Sequence, residues 1–208
     1  MTTRPEYMRN HWWWRPGWRA GRRFYTWHLT FGGQQDVQRF AQECRSALAG
    51  VGGLDAVPDR WLHLTLQGIG FVGEVERADV DAVVAAAHVW LAGLPAFELT
   101  LTGPVVAPEG IHAPVAPDEP VRAVRDAIRS AIADVLAEVP ERPEGFSPHV
   151  SVAFGNSTGD RPAAAIGRAL ARAQVAPATA RITCAELLVL HRDNRMYEWK
   201  SYARVPLG

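Results

Sequence analysis

Three stretches of this chain alternate polar and apolar residues, and in each a histidine is followed two positions later by threonine or serine. They are His28-Leu29-Thr30, His63-Leu64-Thr65 and His149-Val150-Ser151. A period of two is the pattern of a β-strand with two unlike faces, and it does not suit a helix over the same residues. Each histidine therefore shares a strand face with its hydroxyl partner. Leu29 and Phe31, Leu64 and Leu66, and Val150 and Val152 take the opposite face. Ser and Thr make up only 16 of 208 residues, so three such pairs among seven histidines exceed what composition supplies.

The rest of the chain supplies helices and further strands. Helical spacing marks residues 35–49, 77–91, 121–138 and 162–173. Gly93 and Pro95 stop the second helix, and Pro120 suits the first turn of the third. Strands are expected at 23–31, 61–69, 97–106, 110–115, 148–154, 181–191 and 197–205. The last two form a hairpin around Asp193-Asn194. Loose alternation with frequent hairpins implies an α+β fold of mostly antiparallel sheets with flanking helices. At 208 residues and 48% hydrophobic content, one compact domain is expected at 23–208. Its two halves look like weak repeats, each with one His-x-Thr/Ser strand.

Residues 1–22 form a separate Trp/Arg-rich arm. Residues 1–23 carry six arginines against Glu6 alone, a net +5, and the remainder sums to −5 because the whole chain is neutral. That asymmetry suggests an anionic partner near the N-terminus. The arm's tryptophans and arginines suit either gripping RNA or packing as a lid on the protein's own surface. Cys44 and Cys184 are too few and too isolated for a zinc ribbon and read as reduced core thiols, which implies a cytoplasmic protein. No stretch reads as a membrane span, and the chain is expected to act as a monomer.

The His-x-Thr/Ser spacing has a chemical use. In-line displacement at a phosphodiester needs one group to deprotonate the attacking oxygen and another, opposite, to protonate the leaving oxygen. Histidine serves both roles near neutral pH. A hydroxyl two residues along lies ~6.5–7 Å away on the same face and can donate to a non-bridging phosphate oxygen. Two such strands facing each other bracket one phosphate with no metal or other cofactor. A zinc site built from three strand histidines is the chemical alternative.

Trp61-Leu62-His63-Leu64-Thr65-Leu66 with Gly68-Ile69-Gly70-Phe71, and Phe146-Ser147-Pro148-His149-Val150-Ser151-Val152, resemble the two signatures of the two-histidine (2H) phosphoesterases. That superfamily includes the 2′-5′ RNA ligase-like proteins and cyclic nucleotide phosphodiesterases. The resemblance covers residues 23–208. It implies a bilobal, pseudo-symmetric fold with a central groove. His63 and His149 become the catalytic pair, with His149 as base and His63 as acid, and Thr65 and Ser151 bind phosphate. His28 and Thr30 are either accessory groove residues or structural. The implied substrate is a 2′,3′-cyclic phosphate at the end of RNA or on a nucleotide. The alternatives are 2′-5′ ligation at the same site, hydrolysis of ADP-ribose cyclic phosphate, and a non-catalytic RNA- or nucleotide-binding module. Phe154 stands where many relatives carry a basic residue, so a different cation, His191 or Lys200 for example, or a different substrate is expected.

Overall fold

The computed structural model describes residues 5–157 and 161–208, so Arg4 of the arm lies outside it. In chain order the elements are β1 (Tyr7–Met8), β2 (Phe24–Thr30), α1 (Gln35–Ala47), β3 (Leu54–Ala56), β4 (His63–Phe71), α2 (Arg77–Leu91), β5 (Phe97–Leu101) and β6 (Val105–Ala107). There follow β7 (Gly110–Ala116), α3 (Glu119–Ala133), β8 (His149–Gly155), β9 (Arg161–Pro162), α4 (Ala163–Ala173), β10 (Ala178–Ile182), β11 (Cys184–His191) and β12 (Glu198–Pro206).

Two antiparallel sheets organise the domain. One has the order β12-β11-β2-β4 and the other β10-β5-β7-β8-β3, with β6 beside β7. The helices exchange lobes. α1 follows a strand of the first sheet but packs on β8 and β10 of the second, beside α4. α3 follows β7 of the second sheet but packs on β4 of the first, beside α2. The exchange locks the lobes together. On the helix-facing side of the first sheet, Trp27, Leu29, Leu64 and Leu66 are at most 1% exposed, and burying side chains of this kind stabilises by roughly 1.5–3 kcal/mol each. β2 is also buried on its other face, with Thr26 4% and His28 1% exposed, because that face is enclosed by the groove rather than open to water.

Three expected elements differ. The strand at 97–106 is split by Gly103-Pro104, where proline has no N–H for a ladder. The strand at 181–191 changes sheets at Thr183: β10 pairs with β5, whereas β11 pairs with β2 and β12. The third helix ends at Ala133, and the N–H groups of Val135 and Leu136 both turn back to the Ile132 carbonyl.

A matched pair of β-bulges follows the two histidine motifs. In β4, Thr65 pairs with His28 and Gln67 with Trp27, which leaves Leu66 as the extra residue. In β8, Ser151 pairs with His112 and Ala153 with Ile111, which leaves Val152 as the extra residue. A bulge bends the strand and inverts which side chains face which way. Phe154 thus shares the groove face with His149 and Ser151. The carbonyls at both bulges are satisfied: Arg125 Nε donates to Leu66 O at 2.9 Å, and the Val57 N–H donates to Val152 O at 2.9 Å.

The arm is seated on the domain. β1 pairs with β9, the Arg9 N–H donates to Pro108 O at 2.7 Å, and the His11 N–H donates to Gly155 O at 2.8 Å. At Arg15-Pro16-Gly17-Trp18, the Trp18 N–H returns to Arg15 O at 2.9 Å with Gly17 at φ +80°. Proline then glycine in these positions is the signature of a type II turn. A Cβ at Gly17 would come within 2.6 Å of the Phe71 ring, so only glycine lets the turn lie there and seat Trp18 on that ring. Arg192, 3% exposed, donates to His11 O at 3.0 Å and sits within 6 Å of the Trp12, Trp14, Trp18 and Tyr197 rings. Both cysteines are free. Cys44 is buried, whereas Cys184 is only partly so and its sulfur accepts from Arg204 at 2.9 Å. Among the described residues no helix is long and apolar enough to cross a membrane.

Candidate active site

β4 and β8 carry their motifs into one cavity of about 430 Å³ between the sheets, where His63, Thr65, His149 and Ser151 meet. The same four residues line an adjoining space of about 360 Å³ that extends to Arg125 and Phe146. A third, of about 480 Å³ with proline and valine walls, opens beside His112 and His149.

Both motif histidines are oriented in the same way. His63 Nδ1 donates to Trp61 O at 2.7 Å, and His149 Nδ1 donates to Ser147 O at 2.8 Å. A carbonyl can only accept, so in each ring Nδ1 carries hydrogen and Nε2 is left to exchange a proton. Each ring is also stacked on a second histidine from the neighbouring strand. His28 lies parallel to His63, with centroids 4.6 Å apart, and His112 parallel to His149 at 4.0 Å. The register is the same in both lobes: His28 is paired with Thr65, and His112 with Ser151. Parallel rings direct their in-plane nitrogens alongside one another rather than toward a common point. Among the described residues no three His, Cys, Asp or Glu side chains form a group suited to a metal ion.

Burial sets the proton affinity. It lowers the His63 pKa to about 4, opposed by its bond to the Trp61 carbonyl and assisted by the His149 charge. Burial likewise lowers His149, against its bond to Ser147. His112 falls to about 3 through burial and then the His149 charge, and His28 is pushed well below the usual imidazole range. In the free groove burial thus favours the uncharged form of all four rings.

Not every expected residue reaches the groove. His28 lines it, and its Nε2 lies 3.4 Å from Thr65 Oγ1. Thr30 does not line these cavities; its hydroxyl donates to Glu186 at 2.9 Å. His191 lies 3.5 Å from Asp193 and 3.7 Å from Glu198, and neither it nor Lys200 lines any of these cavities. Of the nearby cations, Arg15 is engaged with Glu109 at 2.8 Å and Arg125 with the carbonyls of Leu66, Arg142 and Pro143, while exposed Arg142 also lines the adjoining space. Arg15 and Trp18 reach the site from the Trp/Arg-rich arm, whereas His11, Glu109, His112 and Tyr197 line it without a signal in the sequence pattern. His112 has no hydroxyl residue two positions on, and only its register against Ser151 identifies it.

The family model of the 2′-5′ RNA ligase superfamily matches residues 33–195, which include both motifs and exclude the arm and His28. Among solved structures, TT0787 of Thermus thermophilus superposes with a TM-score of 0.66 at 18% identity, over 89% of this chain and 97% of that one. E. coli LigT in its apo form gives a TM-score of 0.60 at 15% identity, over 89% and 98% of the two chains. LigT complexed with 3′-AMP gives the same values. No curated protein matches the chain in sequence. At these identities the solved structures are alike in fold, and they share its α+β, antiparallel architecture.

Proposed function

The chain belongs to the 2′-5′ RNA ligase superfamily, and from that premise we propose that it hydrolyses 2′,3′-cyclic phosphates on nucleotides or RNA ends by two-histidine acid/base catalysis, with no metal needed to activate the water. The observation that carries this reading is the repeated arrangement around one cavity: two Nδ1-anchored imidazoles, each with a hydroxyl two residues along its strand. Acid/base chemistry at phosphorus requires this pairing of proton acceptor and proton donor.

In the proposed reaction the cyclic phosphate lies between the lobes, and Thr65 and Ser151 donate hydrogen bonds to its non-bridging oxygens. His149 Nε2 takes a proton from water as the water oxygen bonds to phosphorus. The bond from phosphorus to one ribose oxygen breaks, and His63 Nε2–H protonates that oxygen. A phosphate monoester and a free hydroxyl result, and the two imidazoles have exchanged protonation states. The bound anion offsets the burial that depresses His63, so substrate binding favours uptake of the proton that the acid later gives up. His28 and His112 are positioning residues, holding each motif ring flat. Neutral His28 can donate from Nε2 to Thr65 Oγ1, which frees the hydroxyl hydrogen for phosphate.

Phosphorus NMR of adenosine 2′,3′-cyclic phosphate with the purified protein tests the proposal. The expected result is replacement of the cyclic resonance by that of a monoester. A cyclic signal that persists with folded protein, across nucleotides, cyclic-phosphate-ended oligonucleotides and ADP-ribose cyclic phosphate, contradicts hydrolysis.

A further inference from the structure

The arm contributes His11, Arg15 and Trp18 to the wall of the cavity that holds the motif histidines, although it lies outside the stretch matched to the superfamily. Its contribution is aromatic and electrically balanced rather than cationic. Trp18 and Phe24 line the cavity on the side of the first sheet, with ring centroids 5.6 Å apart. Phe154 of the second sheet, turned inward by the bulge and stacked on His11 at 4.4 Å, and Tyr197 of the β11–β12 hairpin also line it, 5.5 Å apart.

Arg15 is the only Arg or Lys lining this cavity among the described residues, and Glu109 neutralises it at 2.8 Å. Glu109 also accepts from Trp13 Nε1 at 3.0 Å. His11 is held uncharged, its pKa lowered to about 3 by burial and by the neighbouring charges of Arg15 and Arg192. A second phosphate would find no free cation here. A flat ring would find aromatic walls, and a paired guanidinium and carboxylate that offer donors and an acceptor side by side. The edge of a nucleobase presents the complementary mixture. A volume of about 430 Å³ is within the range of small-molecule sites.

We propose that the arm side of the cavity, walled by Trp18, Phe24, Phe154 and Tyr197 and ended by the Arg15–Glu109 pair, is a nucleobase subsite that makes the protein selective for mononucleotide-sized ligands. The proposal rests on the hydrolase reading for placing the phosphate at His63 and His149. Deletion of the base should cost affinity, while lengthening the phosphate backbone on the arm side should add none.

Titration calorimetry of the full chain with 3′-AMP and with inorganic phosphate tests the subsite without turnover. The intact protein should bind 3′-AMP at least 10-fold more tightly than phosphate. Trp18→Leu should shrink that ratio at least fivefold while leaving phosphate affinity within twofold. Arg15→Gln, at the other end of the subsite, should also shrink it, and it keeps the test open if Trp18→Leu does not fold. A ratio near one in the intact protein, or a ratio unchanged in a folded variant, overturns the proposal. The two readings fail separately. Hydrolysis of adenosine 2′,3′-cyclic phosphate without base-dependent binding removes the subsite and leaves the hydrolase. Base-dependent binding with no hydrolysis of any cyclic phosphate removes the hydrolase and leaves a nucleotide-binding site.

Discussion

At the scale of single residues, each motif histidine is anchored through Nδ1 and leaves Nε2 open, and a second histidine is stacked on each ring. In the proposed reaction the open nitrogens move the protons and the stacked partners hold them in place. His112→Phe preserves a flat ring against His149, so its kcat should stay within about threefold of the parent, whereas His112→Ala should lose on the order of 10-fold in kcat with KM little changed, as expected when geometry rather than binding is lost. Equal kcat for both variants would remove the positioning role. The depressed pKa values give a second prediction. The proposed reaction needs one ring protonated and one neutral, which gives a bell-shaped profile whose limbs belong to the coupled pair. Because burial lowers both His63 and His149, the kcat/KM optimum should lie on the acid side of the ordinary imidazole value. Bound phosphate is anionic and raises the affinity for protons, so the basic limb of kcat should lie at higher pH than that of kcat/KM. Coincident basic limbs would contradict this. His63, Thr65, His149 and Ser151 were legible in the sequence because strand alternation places each pair on one face. His112 and Tyr197 were not, because a cross-strand register and a folded-back hairpin bring them to the groove, and neither leaves a local pattern.

At the scale of elements, the bulges decide what the groove contains. Sequence alternation alone puts Phe154 on the face opposite His149, and the extra residue Val152 reverses that. The sheet change at Thr183 was hidden because residues 181–191 read as one unbroken strand-forming run, although the buried positions shift from Ala180 and Ile182 to Ala185 and Leu187 as the pairing partners change. The helices at 77–91 and 163–173 were more readable, because their apolar stripes repeat over several turns. Arg125 of α3 is the support for the bulge in β4. It is 5% exposed and donates to three carbonyls, including that of Leu66. Arg125→Met fills similar space but orphans those acceptors, and should destabilise the fold by roughly 2–4 kcal/mol. Chemical denaturation measures this, and a change below about 0.5 kcal/mol would mean that the carbonyls find other donors.

At the scale of the whole molecule, five buried or half-buried histidines share one groove, and each holds its proton less firmly than it would unfolded. Between the unfolded value, near pH 6.5, and folded values that reach about 3 or 4 for His11, His63 and His112, the unfolded chain binds more protons than the folded one. Their contribution is therefore fully present above about pH 6.5 and is lost as pH falls through this window. Thermal unfolding should show a falling Tm between pH 7 and pH 5, before most carboxylates titrate. A flat Tm over that range would show that the rings protonate freely in the fold. The arm belongs to this scale as well. Its position on the domain was open in the sequence, because tryptophan and arginine suit a lid and a nucleic-acid grip equally, and the ion pairs of Arg15, Arg22 and Arg23 with Glu109, Glu74 and Asp193 emerge only once distant segments meet.

In the proposed reaction His63 and His149 together supply acid and base to a cyclic phosphate. The most direct measurement is the single-turnover rate for adenosine 2′,3′-cyclic phosphate with the intact protein, His63→Ala and His149→Ala, each with and without EDTA. The expected result is a loss of roughly 10²–10⁴-fold in each variant, with 3′-AMP binding largely kept and no effect of EDTA. Near-full activity in either variant, or a rate abolished by EDTA and restored by zinc, would contradict it.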